Sequence, residues 1–263
     1  MFDYHNHTSF SHDSDAPMAA VIESAIARGL KSIAITDHYD PEYANPLKDT
    51  AIDLDQYYAE LTKASETYQD VIHLVKGIEL GLQDHVTSLL ADAVKAYHFD
   101  FILGSFHCAD GMELYGETFY AGYAAEAVYQ KFYENCYRVI GKYDQFDVMG
   151  HVNIIDRYAH RIPAFETYRE LVEAIFKLLI EKGKGIELNT SSIRYGMGER
   201  YTPTVEMLKR FREMGGEIIT VGSDSHRASE VGSDIDFAAE LLKTLGFKYR
   251  TLFQDRKPVF VSL

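Results

Sequence analysis

The chain has 263 residues, 46% hydrophobic and 25% charged, which is the composition of a folded globular protein and excludes a disordered one. Its 26 basic and 40 acidic residues leave a formal charge of −14, which argues against a face that neutralises nucleic-acid phosphates or docks on an anionic membrane. A phosphorylated small molecule stays admissible if positive charge is concentrated locally, on arginines or metal ions.

Short apolar runs at residues 2–4, 32–36, 72–79, 99–105, 147–150, 185–189 and 217–222 each have the length of a buried parallel strand. Amphipathic stretches alternate with them. Asp15-Ala16-Pro17 opens the first helix, with Val21, Ile22, Ala25 and Ile26 on one face and Gly29 as its stop. Further helices are expected over 54–68, 85–97, 123–143 and 164–182. Thr202-Pro203 opens another, with Val205, Leu208 and Phe211 inward, and the last spans 233–245. A tail of two strands, 249–253 and 258–262, closes the chain around a polar turn at 254–257. Alternating βα units force parallel strands with crossover helices. Seven such units without a Pro/Gly-rich linker predict an α/β fold, a distorted (β/α)7 TIM-like barrel, as one domain over residues 1–263.

No run of about 18 apolar residues is present to cross a bilayer. Cys108 and Cys136 are too few for a disulfide framework, and the N-terminus lacks the features of a secretory leader. A cytoplasmic location is expected.

The predicted strands end in chemistry. The first ends in His5-Asn6-His7, the second in Asp37-His38 and the third in Glu79. The fourth runs into His107, the fifth into His151, the sixth into Asn189, Ser191 and Arg194, and the seventh into Asp224-Ser225-His226. In a barrel these ends converge on one face, where active sites lie. A lone histidine is ordinarily a packing or surface residue. Six of the chain's eleven at strand ends beside carboxylates point instead to metal binding. Period-two alternation turns His5 and His7 to the same side. Imidazole with carboxylate suits zinc, manganese or iron and not calcium. The donors exceed one ion's need, so two to three divalent metal ions are implied. Asp3 and Asp37 are candidate groups for orienting the ligands from behind.

The set His5-x-His7, Asp13, Thr36-Asp37-His38, Gly77-x-Glu79, Gly104-Ser105-x-His107, Gly150-His151 and Ser223-Asp224-Ser225-His226 resembles the polymerase and histidinol phosphatase (PHP) family, in family order from residue 3 to 226. The resemblance implies a trinuclear metal centre. One ion would take His5, His7, Glu79 and Asp224. A second would share Glu79 and add His107 and His151. A third would take Asp13, His38 and His226, with the adjacent His12 as the substitute for Asp13. Residues 104–115, 150–158 and 187–203 resemble the histidinol-phosphate phosphatases of that family. Arg157 and Arg194 then resemble the arginines that hold the substrate phosphate, with Arg161 and Arg200 as rivals. The implied reaction is hydrolysis of L-histidinol phosphate in histidine biosynthesis, by metal-activated hydroxide attacking phosphorus. His38, His226 or a metal-bound water are candidates for protonating the leaving group. Glu113 and Tyr115, in the acidic and aromatic segment after the fourth strand, are candidates for holding the substrate's ammonium and imidazole.

Other readings are weaker. Another phosphoesterase of the family, acting on phosphotyrosine protein or small phosphate monoesters, is the main alternative. A nuclease role fits poorly with the acidic charge. An amidohydrolase would need a bridging lysine, and Lys76 lies three residues from Glu79, on the wrong face. Phosphate-loop, GxSxG and HExxH motifs are absent. Cys108 has no base placed for it.

Overall fold

The computed structural model describes residues 1–43, 52–197 and 201–263. Its strands, in chain order, are β1 (Phe2–Asp3), β2 (Ser32–Ile35), β3 (His38–Tyr39), β4 (His73–Gly81), β5 (Phe101–Ser105), β6 (Cys108–Ala109), β7 (Met112–Glu113), β8 (Val148–Met149), β9 (Gly185–Asn189), β10 (Ile219–Gly222), β11 (Tyr249–Gln254) and β12 (Lys257–Ser262). The order β1-β2-β4-β5-β8-β9-β10 forms one parallel sheet, and β3 extends the pairing of β2 along β4. The sheet comes round on itself: Tyr4 N donates to Val221 O (3.0 Å), Asp224 N to His5 O (2.8 Å) and His7 N to Ser225 O (2.8 Å).

The outer layer holds α1 (Met18–Ala27), α2 (Leu54–Tyr68), α3 (Thr87–Ala96), α4 (Ala125–Lys142), α5 (Arg169–Glu181), α6 (Ser191–Arg194), α7 (Val205–Glu213) and α8 (Ile235–Thr244). One or more helices follow each barrel strand, so the structure is the seven-unit α/β barrel that the alternation predicts. Side chains such as Ile22, Leu61, Leu90, Phe132, Phe176 and Phe211 bury the helices against the sheet. Asp53 caps α2 by accepting from Gln56 N, and Thr204 caps α7 by accepting from Met207 N. At α1 no side chain caps: Pro17 stands at the cap position and its fixed φ starts the helix.

Two expected elements differ. The stretch 164–182 is a 3-10 turn (Phe165–Thr167) and then α5, because Tyr168 at φ −131° breaks the helix between them. The fifth barrel strand shrinks to Val148–Met149, because the chain leaves the sheet at His151, whose φ is +20°.

Alternation splits each strand between two environments. In the lower barrel, Tyr4, Ala34, Val75, Phe101, Leu103 and Val148 point inward and pack on Phe253. Phe253 comes from the hairpin of β11 and β12, whose turn places Asp255 and Arg256 at positive φ. Tyr4 Oη exchanges hydrogen bonds with the Phe253 backbone (3.3 and 3.2 Å), and Arg256 Nε reaches Asp147 (2.5 Å). The hairpin therefore closes the N-terminal end of the barrel. Among the described residues no helix is long and apolar enough to cross a membrane.

Candidate active site

The C-terminal ends of the strands bring the predicted donors together around Glu79, which is fully buried at the end of β4. His5 Nε2 lies 3.3 Å from Glu79 Oε2 and 3.7 Å from Asp224 Oδ1. His7 Nε2 lies 3.6 and 3.3 Å from the same two oxygens. The other carboxylate oxygen, Oε1, meets His151 Nε2 at 3.0 Å and His107 Nε2 at 3.4 Å, while His38 Nδ1 lies 2.8 Å from Oε2. Among the described residues four compact donor groups result: His5/His7/Asp224, His5/Glu79/His151, His38/Glu79/His107 and His7/His38/His226, each with donor atoms within 4.8 Å of one another. Asp13 faces His226 Nε2 at 3.2 Å and His38 Nε2 at 3.7 Å. His12 is exposed, with its ring 5.6 Å from that of His38, so the geometry favours Asp13 over His12.

The donor set fits divalent ions. His5 Nε2, His7 Nε2 and Glu79 Oε2 are buried and have no hydrogen-bond partner, a state that costs free energy in a protein with no other use for it. The opposite ring nitrogens are engaged. His7 Nδ1 donates to Ser11 Oγ (3.0 Å), which donates to Asp37 Oδ1 (2.6 Å). His107 Nδ1 faces Asp40 (2.9 Å), and His226 Nδ1 donates to Asp224 O (3.1 Å). These bonds fix tautomers that leave Nε2 as a lone pair, the ligand form. A Cβ on Gly81 would collide with Asp40, so that glycine admits the carboxylate behind His107. Asp3, expected to orient a ligand, accepts from the His5 backbone N (3.4 Å) and more closely from Ser223 N and Oγ and from Gly232 N. It ties β1 to the loop after β10.

Charge is arranged to match. Burial alone would raise the Glu79 carboxyl, yet His5, His38 and His107 facing it hold it well below the ordinary range. Burial opposes ionisation of Asp224 too, and His5, His7, His226 and Arg157 override it. Burial, with His226 and His38 alongside, keeps His7 well below an ordinary imidazole and so neutral.

A cavity of about 820 Å³ opens over the donors. Arg157 and Arg194 line it. Arg157 Nη2 donates to Ser191 Oγ (2.6 Å) and lies 3.4 Å from Asp224 Oδ2, and its guanidinium stacks 4.2 Å from the Tyr195 ring centroid. Arg194 Nη2 donates to Ser223 O (2.7 Å) and Asp224 O (3.0 Å). Arg157 Nε and Arg194 Nη1 are buried without a hydrogen-bond partner, two spare donors at the wall of one cavity. Tyr115 lines the same cavity; Glu113 is not part of its wall. Glu113 pairs with Cys108 in the β6–β7 hairpin and folds its carboxylate over Gly116. Arg161 is exposed and pairs with Glu126 at the surface (3.5 Å), and Arg200 lies outside the described residues.

Residues 3–191 match the PHP domain. The chain belongs to the PHP family. A histidinol-phosphatase of Lactococcus lactis subsp. lactis (strain IL1403) is 29% identical over 97% of this chain and 95% of its own. A probable histidinol-phosphatase of Clostridium acetobutylicum is 27% identical over 94% and 95%. The crystal structure of histidinol phosphate phosphatase from L. lactis, complexed with zinc, L-histidinol and phosphate, superposes with a TM-score of 0.89 at 28% identity, covering 98% of each chain.

In this PHP barrel two side chains beside the donors, Glu187 and Asp40, escaped the sequence reading. Glu187 accepts from His5 Nδ1 (2.6 Å) and His151 N (2.9 Å). Asp40 backs His107, while Ser191, named in the sequence at the end of the sixth strand, accepts from Arg157 through its Oγ. Glu187 had a signal: it is a carboxylate at an inward position of the fully buried strand Gly185–Asn189.

Proposed function

We propose that the protein is a metal-dependent phosphomonoesterase that hydrolyses L-histidinol phosphate to L-histidinol and phosphate, and that residues 1–263 act as a single barrel. The observation that carries the reaction class is the meeting of Arg157 and Arg194 with the donors His38, His107, His151, Asp224 and His226 on the wall of one cavity, over the buried, unpartnered Nε2 atoms of His5 and His7. The L. lactis structure, bound to zinc, L-histidinol and phosphate, supports the substrate.

His5, His7, Glu79 and Asp224 would hold one zinc ion, Glu79 with His107 and His151 a second, and Asp13, His38 and His226 a third. Manganese and iron suit the same donors. Bound there, such ions supply Lewis acidity and an activated water for attack on phosphorus. Arg157 and Arg194 bind the phosphate's equatorial oxygens and take up the charge that grows on them. Ser191 and the stacked Tyr195 hold Arg157 in place, and the Ser223 and Asp224 carbonyls hold Arg194. His226 commits Nδ1–H to a carbonyl and turns Nε2 to Asp13, so it serves as a ligand and not as the acid for the leaving group. Tyr115, Tyr158 and Tyr195, with Asp15 and Glu230 on the cavity wall, make an aromatic and acidic surround suited to an imidazole and an ammonium. Both cysteines are buried and neither forms a disulfide, in keeping with a reducing, cytoplasmic compartment.

The test is kcat/KM for L-histidinol phosphate beside p-nitrophenyl phosphate, phosphoserine and a phosphotyrosine peptide, with zinc or manganese added. A value for histidinol phosphate at least about 100-fold above the others supports the named substrate. Equal rates across the panel would leave a broad phosphoesterase.

A further inference from the structure

We propose that Glu187 is a positioning residue that couples two metal positions, fixing the ring of His5 and the backbone of His151 with the two oxygens of one carboxylate. The inference rests on the metal-centre reading above and goes beyond it, since Glu187 itself touches no ion in that scheme.

Three donors from three elements converge on this side chain. Oε1 accepts from His5 Nδ1 at 2.6 Å. Oε2 accepts from His151 N at 2.9 Å and from Asn189 Nδ2 at 3.1 Å. The Asn189 amide is itself oriented, because its Oδ1 accepts from Ser191 N (3.0 Å) and Ser191 Oγ (2.5 Å). Glu187 is fully buried, so water does not compete for these bonds. Its two contacts do different things. The bond to His5 keeps the proton on Nδ1 and presents Nε2, unpartnered, to Glu79 and Asp224. The bond to His151 holds a backbone at φ +20°, a conformation that costs free energy for a residue with a Cβ and needs an external hold. That bend takes the chain out of β8 and aims His151 Nε2 at Glu79 Oε1 (3.0 Å). The packing leaves room for nothing larger: a Cβ on Gly222 would collide with both Glu187 Oε1 and the His5 Cβ.

The hydrogen-bond pattern explains why the residue must be a carboxylate. All three incoming groups are donors, and a glutamine offers one acceptor and one donor. If its oxygen faces His151 N and Asn189, its amide faces His5 Nδ1. The His5 proton then moves to Nε2, and the ligand lone pair is lost. If its oxygen faces His5, its amide opposes two other donors and the His151 bend loses its hold. Either orientation weakens one of the two positions that share Glu79, whereas Asp13, His38 and His226 make no contact with Glu187.

The test is zinc stoichiometry and affinity, measured by dialysis against buffered free zinc with metal analysis, for the full chain and for Glu187→Gln, with Gly222→Ala as an independent way to disturb the same contact. Thermal unfolding of the chelated proteins runs alongside. The expected result is about 10- to 100-fold weaker zinc at one or two positions in Glu187→Gln, with the remaining position retained and metal-free unfolding of Glu187→Gln close to that of the parent chain, and weaker zinc in the same direction in Gly222→Ala. Parental zinc affinity at every position in Glu187→Gln would overturn the proposal. A chelated Glu187→Gln that no longer folds would also overturn it, by assigning the carboxylate to the scaffold. If the parent chain itself bound no zinc, the metal-centre reading would fall instead, so the two failures are distinct.

Discussion

The two ends of the barrel are built from the same strands and follow opposite rules. At the N-terminal end Tyr4, Val75, Phe101 and Val148 meet the Phe253 plug in an apolar layer. At the C-terminal end the same strands lead into His5 and His7, Glu79, His107 and His151, where buried nitrogens and oxygens lack partners. A protein keeps unmet polar groups only where something else meets them. The lower end therefore holds the barrel together, and the upper end spends part of that stability on a site for ions and phosphate.

Four substitutions test that division, beginning with the largest effect. Glu79→Gln removes the carboxylate that both ion positions share, and should lower kcat/KM on a phosphate monoester by about 1000-fold or more, with zinc content reduced in the same preparation. A fall in rate with full zinc would contradict the shared-ligand role. Phe253→Ala at the opposite end should cost about 3 kcal/mol of stability, seen as a lower denaturant midpoint, while kcat/KM per folded molecule stays at the parental value. Loss of specific activity in the folded fraction would blur the division between the ends. Arg157→Ala should depress kcat/KM by about 100-fold with zinc stoichiometry intact, which separates phosphate binding from metal binding inside the upper end; unchanged kinetics would remove Arg157 from the site.

The smallest effect lies outside both ends. Asp84 is bonded to Arg138 (2.6 Å) and Lys142 (2.8 Å), and although partial burial pushes its carboxyl up, those two cations hold it below its ordinary value of 3.8. A depressed folded value means the pair stabilises above pH 3.8, and that the contribution is lost as pH falls through the folded value. Asp84→Asn should therefore cost no more than about 1 kcal/mol at pH 7. The gap from the parent chain should close in acid unfolding curves, and a gap that widens in acid would reverse the sign.

The contrast between the ends also explains what the sequence could reveal. Strand-by-strand alternation and the histidines at strand ends made the seven-unit barrel and the converging donors readable, because both follow from local periodicity. The Phe253 plug was readable only as a strand, since its place depends on a hairpin meeting Tyr4 across 249 positions of chain. Glu187 and Asp40 were missed for a related reason. Each acts through a histidine far away in sequence, and nothing next to a buried carboxylate tells which ring it faces. Glu113 sits in the segment that the sequence pointed to, but it is Tyr115, two residues on, that lines the cavity.

The most direct measurement of the metal and phosphate site is an anomalous difference map at the zinc edge from crystals grown with zinc and inorganic phosphate. A site built as described gives peaks about 2.0–2.2 Å from the Nε2 atoms of His5 and His7 and from a Glu79 oxygen, with phosphate density between them and the guanidiniums of Arg157 and Arg194. A map without peaks at those donors, or with phosphate bound away from both arginines, would contradict it.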